Sequence, residues 1–203
     1  MPEQRGGVLA TDLDGTVVDV NTFPYFVRFL TRRLVAERRP AALGALVAAG
    51  VLRKLHVLPH HAFKRLVCDL GAGVPADQVA DWARTMLAEH GHPEVVAMVR
   101  EWEGRTILTT AAPQVYADHL AAALDIPEVH ASYVRQRTLV NNEGPQKTVR
   151  LRAAGLDRVD VFLTDDTVID LPMAELADVV YEVRHGGRIR EFEVRPGSGA
   201  GPA

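Results

Sequence analysis

Hydrophobic and polar positions follow two regimes along this chain. Val8-Leu9-Ala10 is a short apolar run, which reads as a buried strand over 8–12. From about residue 21 to residue 91 every apolar repeat is helical. Phe23, Phe26, Phe29, Leu30 and Leu34 fall on one helix face, with Asn21 or Thr22 as N-cap and Pro24 in the first turn. Further helices are expected over 41–56, over 60–70 with Gly71 and Gly73 as the stop, and from Pro75 to His90 with Gly91 as the stop.

The second regime alternates helix and strand. Helices are expected over 93–102, 113–124, 147–154 and 171–176. Strands are expected over 105–109 and 159–163, with the last strand over 179–183. Residues 129–139, followed by Asn141-Asn142-Glu143-Gly144, read as a hairpin or an irregular loop. Strands alternating with helices imply an α/β parallel sheet covered on both faces. The pattern divides the chain into an α/β core, 1–20 and 92–194, and an all-helical insertion, 21–91. The Gly-, Pro- and Ser-rich tail 195–203 is expected to be disordered.

Composition narrows the class without changing this picture. A chain of 203 residues that is 47% hydrophobic and 24% charged can bury a core without staples. The single cysteine, Cys68, excludes an internal disulfide and fits a reducing compartment. Met1–Gly7 carries no apolar signal-peptide core. The longest apolar stretch, 41–52, is too short to span a bilayer. A soluble cytoplasmic protein with no membrane partner is expected. A net charge of −3 gives no reason to invoke nucleic acid, and none is expected as a partner. Oligomeric state is left open.

Three strands end in residues with chemistry. The first ends in Asp12 and Asp14, followed by Gly15-Thr16; the second in Thr109-Thr110; the third in Asp165-Asp166, with Asp170 beyond. In an open parallel sheet the ligand crevice lies outside the carboxyl ends of the strands, so these sets should meet there. Asp12 and Asp14 share one side of an extended chain. Two acids at a buried strand end need a positive partner, and a divalent cation or a lysine would serve.

Asp12-Leu13-Asp14-Gly15-Thr16 resembles the first signature of the haloacid dehalogenase superfamily, whose members are mostly magnesium-dependent phosphatases. Ile107-Leu108-Thr109-Thr110 is similar to the second signature, Lys147 after the Gly144 loop to the third, and Asp166-Thr167-Val168-Ile169-Asp170-Leu171-Pro172 to the fourth. Their order, with a helical cap between the first two, matches the phosphoserine phosphatase-like branch. The resemblance implies a Rossmann-like parallel sheet, helices on both faces, and an all-helical cap inserted after the first strand. It also implies hydrolysis of a small phosphorylated metabolite through an aspartyl-phosphate.

By resemblance, Asp12 is the nucleophile and Asp14 the general acid and then base. Mg2+ is held by the Asp12 carboxylate, the Asp14 carbonyl and Asp166. Thr110 binds phosphoryl oxygens, with Thr109 as its rival. Lys147 offsets charge on nucleophile and phosphate. Asp170 orients Lys147 or a metal-bound water. Two departures stand out: Asp165 occupies a position often held by glycine and rivals Asp166 as ligand, and Thr11 stands where the branch often has an aromatic residue.

Plainer readings run alongside. Thr110 also reads as a helix N-cap, Lys147 as a solvated lysine, and Asp166 and Asp170 as caps of the next helix. His56, His60 and His61 read as an inter-helix loop, and Cys68 as packing. The insertion carries ten Lys and Arg against five Asp and Glu. This is either an ordinary solvated face or a funnel for an anionic substrate, with Arg28 or Arg32 touching it. The rival functions are a phosphotransferase or mutase on the same scaffold, a dehalogenase, and a non-catalytic phosphate-binding regulatory protein. A dehalogenase needs neither Asp14 nor a metal.

Overall fold

A computed structural model describes residues 6–194; the tail expected to be disordered lies outside them. The elements run β1 (Val8–Thr11), α1 (Thr22–Ala36), α2 (Pro40–Lys54), α3 (His60–Gly71), α4 (Ala76–His90), α5 (Pro93–Arg100), β2 (Arg105–Pro113), α6 (Gln114–Ala123), β3 (Glu128–Arg135), β4 (Thr138–Val140), α7 (Pro145–Ala153), β5 (Val159–Thr164), α8 (Leu171–Ala174), β6 (Ala177–Arg184) and β7 (Arg188–Phe192).

The strands form one seven-stranded sheet in the order β4-β3-β2-β1-β5-β6-β7. The five inner strands are parallel, and an antiparallel strand closes each edge. The sheet is therefore mixed, and β6 is not the last strand. Residues 129–139 resolve as a hairpin whose first arm is also an inner strand, paired with β2. Its turn residues, Gln136 and Arg137, both have positive φ. That matches the twist of a tight hairpin.

Alternation along the inner strands sorts side chains to two faces. Leu9, Leu108, Val161 and Leu163 join the cluster that holds α5, α6 and the apolar faces of α1, α3 and α4. Ala10, Ile107 and Phe162 pack with Leu151 of α7 and with Met173 and Ala174 of α8.

The helical insertion docks through the first of these clusters. Phe26, Leu30 and Leu34 recur every fourth residue along the buried face of α1. Phe26 lies 4.6 Å, ring to ring, from Tyr116 of α6. The N-cap choice at α1 falls to Asn21, whose side chain accepts from the Phe23 N–H at 3.0 Å. Helix α3 runs through Gly71 instead of stopping there: the residue is buried, and its missing Cβ serves close packing on Phe26 and Val115 rather than a helix stop. The entry and exit of the insertion are tied together. Asp19 N–H donates to His90 O, and His92 N–H to Val17 O, each at 2.9 Å.

Candidate active site

Register brings the strand tips level. Thr11 of β1 lies opposite Leu108 of β2 and Leu163 of β5. The next residue, Asp12, is thus flanked by Thr109 and Thr164. Its N–H donates to Leu163 O at 2.9 Å, which pins the strand end. The chain then folds back, with the N–H groups of Thr16, Val17 and Val18 all directed at Leu13 O. Gly15 makes this turn with φ +76°, and a Cβ there would collide with the Asp165 carboxylate. The position needs glycine on both counts.

Lys147 is the positive centre. Gly144, with φ +52°, turns the chain into α7, which starts at Pro145. Its third residue, Lys147, points inward and is 3% exposed. Nζ donates to Asp170 Oδ2 at 2.7 Å and lies 3.1 Å from Asp12 Oδ1. The Asp12 contact has ion-pair distance without hydrogen-bond alignment, so Oδ1 is buried with no donor directed at it. Asp170 Oδ2 also accepts from Thr164 Oγ1 at 2.8 Å. Burial alone would lower the lysine pKa, but the two carboxylates outweigh it and raise it. One cation between two carboxylates leaves a negative charge over. Burial, and after it repulsion from Asp12, pushes the Asp170 carboxyl up against the pull of Lys147.

Asp14 sits in a different setting. Its Oδ1 accepts from Thr22 N–H at 3.0 Å and Thr22 Oγ1 at 2.7 Å. Thr22 Oγ1 in turn lies 3.1 Å from the hydroxyl of Tyr116, and both residues are fully buried. The order Tyr116 to Thr22 to Asp14 lets each hydroxyl donate once. Burial pushes the Asp14 carboxyl up to about 6; the Thr22 bonds oppose this, and the charges of Asp12 and Asp165 add to it.

The fourth signature divides its two acids. Asp166 Oδ1 accepts from the N–H groups of Val168 (3.0 Å) and Ile169 (2.9 Å), so it holds the loop that leads to Asp170. Asp165 is exposed and accepts from Thr16 Oγ1 at 3.3 Å, against the Gly15 turn. Asp165 thus stands beside the turn that follows β1, whereas the hydrogen bonds of Asp166 lie within its own loop. Among the described residues no three His, Cys, Asp or Glu side chains form a group that could hold a metal ion.

The two threonines of β2 are buried and locally engaged. Thr109 Oγ1 accepts from Asn142 Nδ2 at 3.3 Å, and Thr110 Oγ1 accepts from Ala112 N–H at 3.1 Å. Neither hydroxyl hydrogen-bonds to Asp12, Asp14 or Lys147. The β2–β3 register shifts between Thr109 and Pro113, a bulge of the kind that re-aims residues beside sites.

That bulge exposes a carbonyl which the sequence reading did not single out. Ala111 O accepts from Ser132 Oγ at 2.7 Å and from Lys64 Nζ of α3. Lys64 Nζ also donates to Asn141 Oδ1 at 2.6 Å and reaches Ser132 Oγ at 3.3 Å. Lys64 is therefore a buried tie between the insertion and the core. Its one sequence signal was a lysine on the same helix face as Phe63, Val67 and Gly71. Arg28 and Arg32 are exposed, and neither hydrogen-bonds within the described site. His60 rests edge-on against Phe23 at 5.7 Å, and burial pushes the Cys68 thiol up to about 11.

Residues 9–175 match the family model described as haloacid dehalogenase-like hydrolase. No curated protein matches the chain. A structure of a protein with unknown function from Bordetella pertussis Tohama I is similar, at 18% identity and TM-score 0.61, covering 84% of this chain and 86% of that one. A probable phosphoserine phosphatase from Vibrio cholerae is similar at 14% identity and TM-score 0.51, covering 87% of this chain and 55% of that one. A phosphoserine phosphohydrolase-like protein from Francisella tularensis subsp. tularensis SCHU S4 gives 12% identity and TM-score 0.50, covering 86% and 85%. At these identities the likeness is one of fold.

Proposed function

The chain belongs to the haloacid dehalogenase-like hydrolase family, and we propose on that premise that it is a magnesium-dependent phosphatase for a small phosphate monoester. The observation that carries the reading is Lys147 held between Asp12 and Asp170, with Asp14 two residues beyond Asp12. A carboxylate can attack an anionic ester only where positive charge offsets both partners.

The donor set fits magnesium. Every candidate ligand is oxygen: the carboxylates of Asp12 and Asp166 and the Asp14 carbonyl. Two carboxylates leave room for the waters that magnesium keeps. Lys147 is shared by Asp12 and Asp170, and the charges of Asp12 and Asp165 also act on Asp14, so the surplus of negative charge calls for a divalent cation. When bound, the ion supplies charge neutralisation for the phosphoryl oxygens.

The chain's own residues supply the rest. With Oδ1 facing Lys147, Asp12 attacks phosphorus through Oδ2. The bond from phosphorus to the ester oxygen breaks, and the leaving oxygen takes a proton from Asp14. Thr22 occupies Asp14 Oδ1, so that proton resides on Oδ2. A carboxyl pKa of about 6, raised from the ordinary carboxylate range, brings proton uptake and release by Asp14 close to neutrality. Water then attacks the aspartyl-phosphate and gives its proton to Asp14. The phosphorus–Asp12 bond breaks, releasing phosphate and restoring both acids. Lys147 offsets charge throughout. Thr110 and nearby N–H groups bind phosphoryl oxygens.

The test is phosphate release from a panel of phosphorylated metabolites with magnesium, using Asp12→Asn as the blank. The reading expects turnover that needs the metal and is lost in the variant. Activity retained by Asp12→Asn removes Asp12 as nucleophile.

A further inference from the structure

Helix α2 breaks the usual rule for a surface helix. From Pro40 to Leu52 it carries no polar or charged side chain. Yet only Leu46 and Ala49 are buried along its length. Its inner stripe, with Ala42 and Leu43 beside those two, packs on α1 and α3. The outward stripe is apolar as well. Val47 and Val51 are each 53% exposed and Leu55 63%, and Val57 just beyond the helix is 68% exposed. Val47, Val51 and Leu55 recur every fourth residue, which is one helix face. A Cβ added at Gly44 or at Gly50 would meet nothing within 4 Å, so neither position is packed against. A helix that is apolar on its solvent side marks a face made for contact.

Charge identifies the partner. Arg38 and Arg39 stand exposed at the start of α2, and Lys54 at its end, with Arg53 half-buried beside it. Arg32 adds to the same sign from α1. The insertion has a surplus of positive charge on a chain that is negative as a whole. A second copy of this chain is a poor match, because both ends of α2 are basic. Parallel and antiparallel pairing alike would set like charges together.

We propose that α2 is an interfacial helix that docks the helical insertion onto an anionic lipid surface. The Val47–Val51–Leu55 stripe enters the boundary between headgroups and acyl chains, and Arg38, Arg39 and Lys54 meet the headgroup charges. The helix lies in the plane of the surface. Among the described residues no helix is long and apolar enough to cross a membrane. This departs from the expectation of no membrane partner, which rested on a polar N-terminus and on apolar stretches too short to span a bilayer.

The experiment is co-sedimentation of the full chain with vesicles of phosphatidylcholine alone or with about a third phosphatidylglycerol. Binding to the anionic vesicles is expected to exceed binding to the neutral ones by about tenfold or more, and to weaken as salt rises. The double variant Val47→Asp, Val51→Asp should lose it while keeping its circular-dichroism melting curve, since both side chains are half exposed. Arg38→Glu with Lys54→Glu should lose it too, and serves if the aspartates disturb the fold. Equal binding to both vesicles, or to neither, overturns the proposal. So does self-association in sedimentation velocity that the aspartate variant abolishes, which would assign the face to a second copy.

Discussion

The strand tips of β1 and β5 and the outer face of α2 violate opposite rules. At the tips, charge is buried: the side chains of Lys147 and Asp170 are each 3% exposed. On α2, apolar surface is exposed. The tips resolve much of their violation within the chain, because Lys147 has two carboxylates and Asp170 Oδ2 has both Lys147 and Thr164, while Asp12 Oδ1 and Asp170 Oδ1 stay without a donor. Helix α2 has no such partner among the described residues. A buried charge cluster matched in large part by its own lysine points to chemistry, and an apolar face with no partner points outward to a surface.

The largest effect belongs to the buried pair. Lys147→Met leaves Asp170 and Asp12 facing each other without a cation, and should cost about 3–5 kcal/mol in urea unfolding. Adding Asp170→Leu should recover part of the loss, since a matched apolar pair is tolerated better than half an ion pair. If the single variant unfolds like wild type, charge matching does not hold the tips.

Next comes α2 itself. Leu46→Ala on its inner stripe should cost about 2–5 kcal/mol, whereas Val51→Ala on the outer stripe should stay within about 0.5 kcal/mol. Equal costs would mean that the outer face is packed, and would remove the contrast.

The smallest effect lies at Thr22. Its hydrogen bonds hold the Asp14 pKa down against burial. Thr22→Val removes the hydroxyl donor, so the Asp14 pKa should rise. The limb of the pH–rate profile that follows loss of this proton should then move to higher pH. Thr22→Ser should restore it. A profile unchanged in Thr22→Val would separate Thr22 from Asp14 function.

What the sequence made legible follows the range of the interactions. The alternation of strands and helices is a local signal, and it carries the α/β architecture. The edge strand β7, Arg188-Ile189-Arg190-Glu191-Phe192, was not read, because charges interrupt its apolar positions. Exposed edge strands often carry such charges. Residues 129–135 looked half polar because His130 and Ser132 are buried by partners distant in sequence. In the candidate site, the spacing of Asp12, Asp14, Lys147, Asp166 and Asp170 was visible in the chain. The ties from Lys64 to Ala111 and Asn141, and from Thr22 to Asp14, were not. Each joins residues whose meeting depends on how the insertion docks. Asp165 and Asp166 were ambiguous for a similar reason: adjacent acids part company only when one packs on the Gly15 turn and the other holds a loop.

The most direct test of the account is to catch the phosphoryl group on the chain. Enzyme turning over a phosphate monoester with magnesium is quenched in acid, and the modified peptide is located by mass spectrometry. The account predicts phosphate on Asp12, absent in Asp12→Asn. Phosphate on another residue, or turnover with no phosphorylated peptide at any quench time, would contradict it.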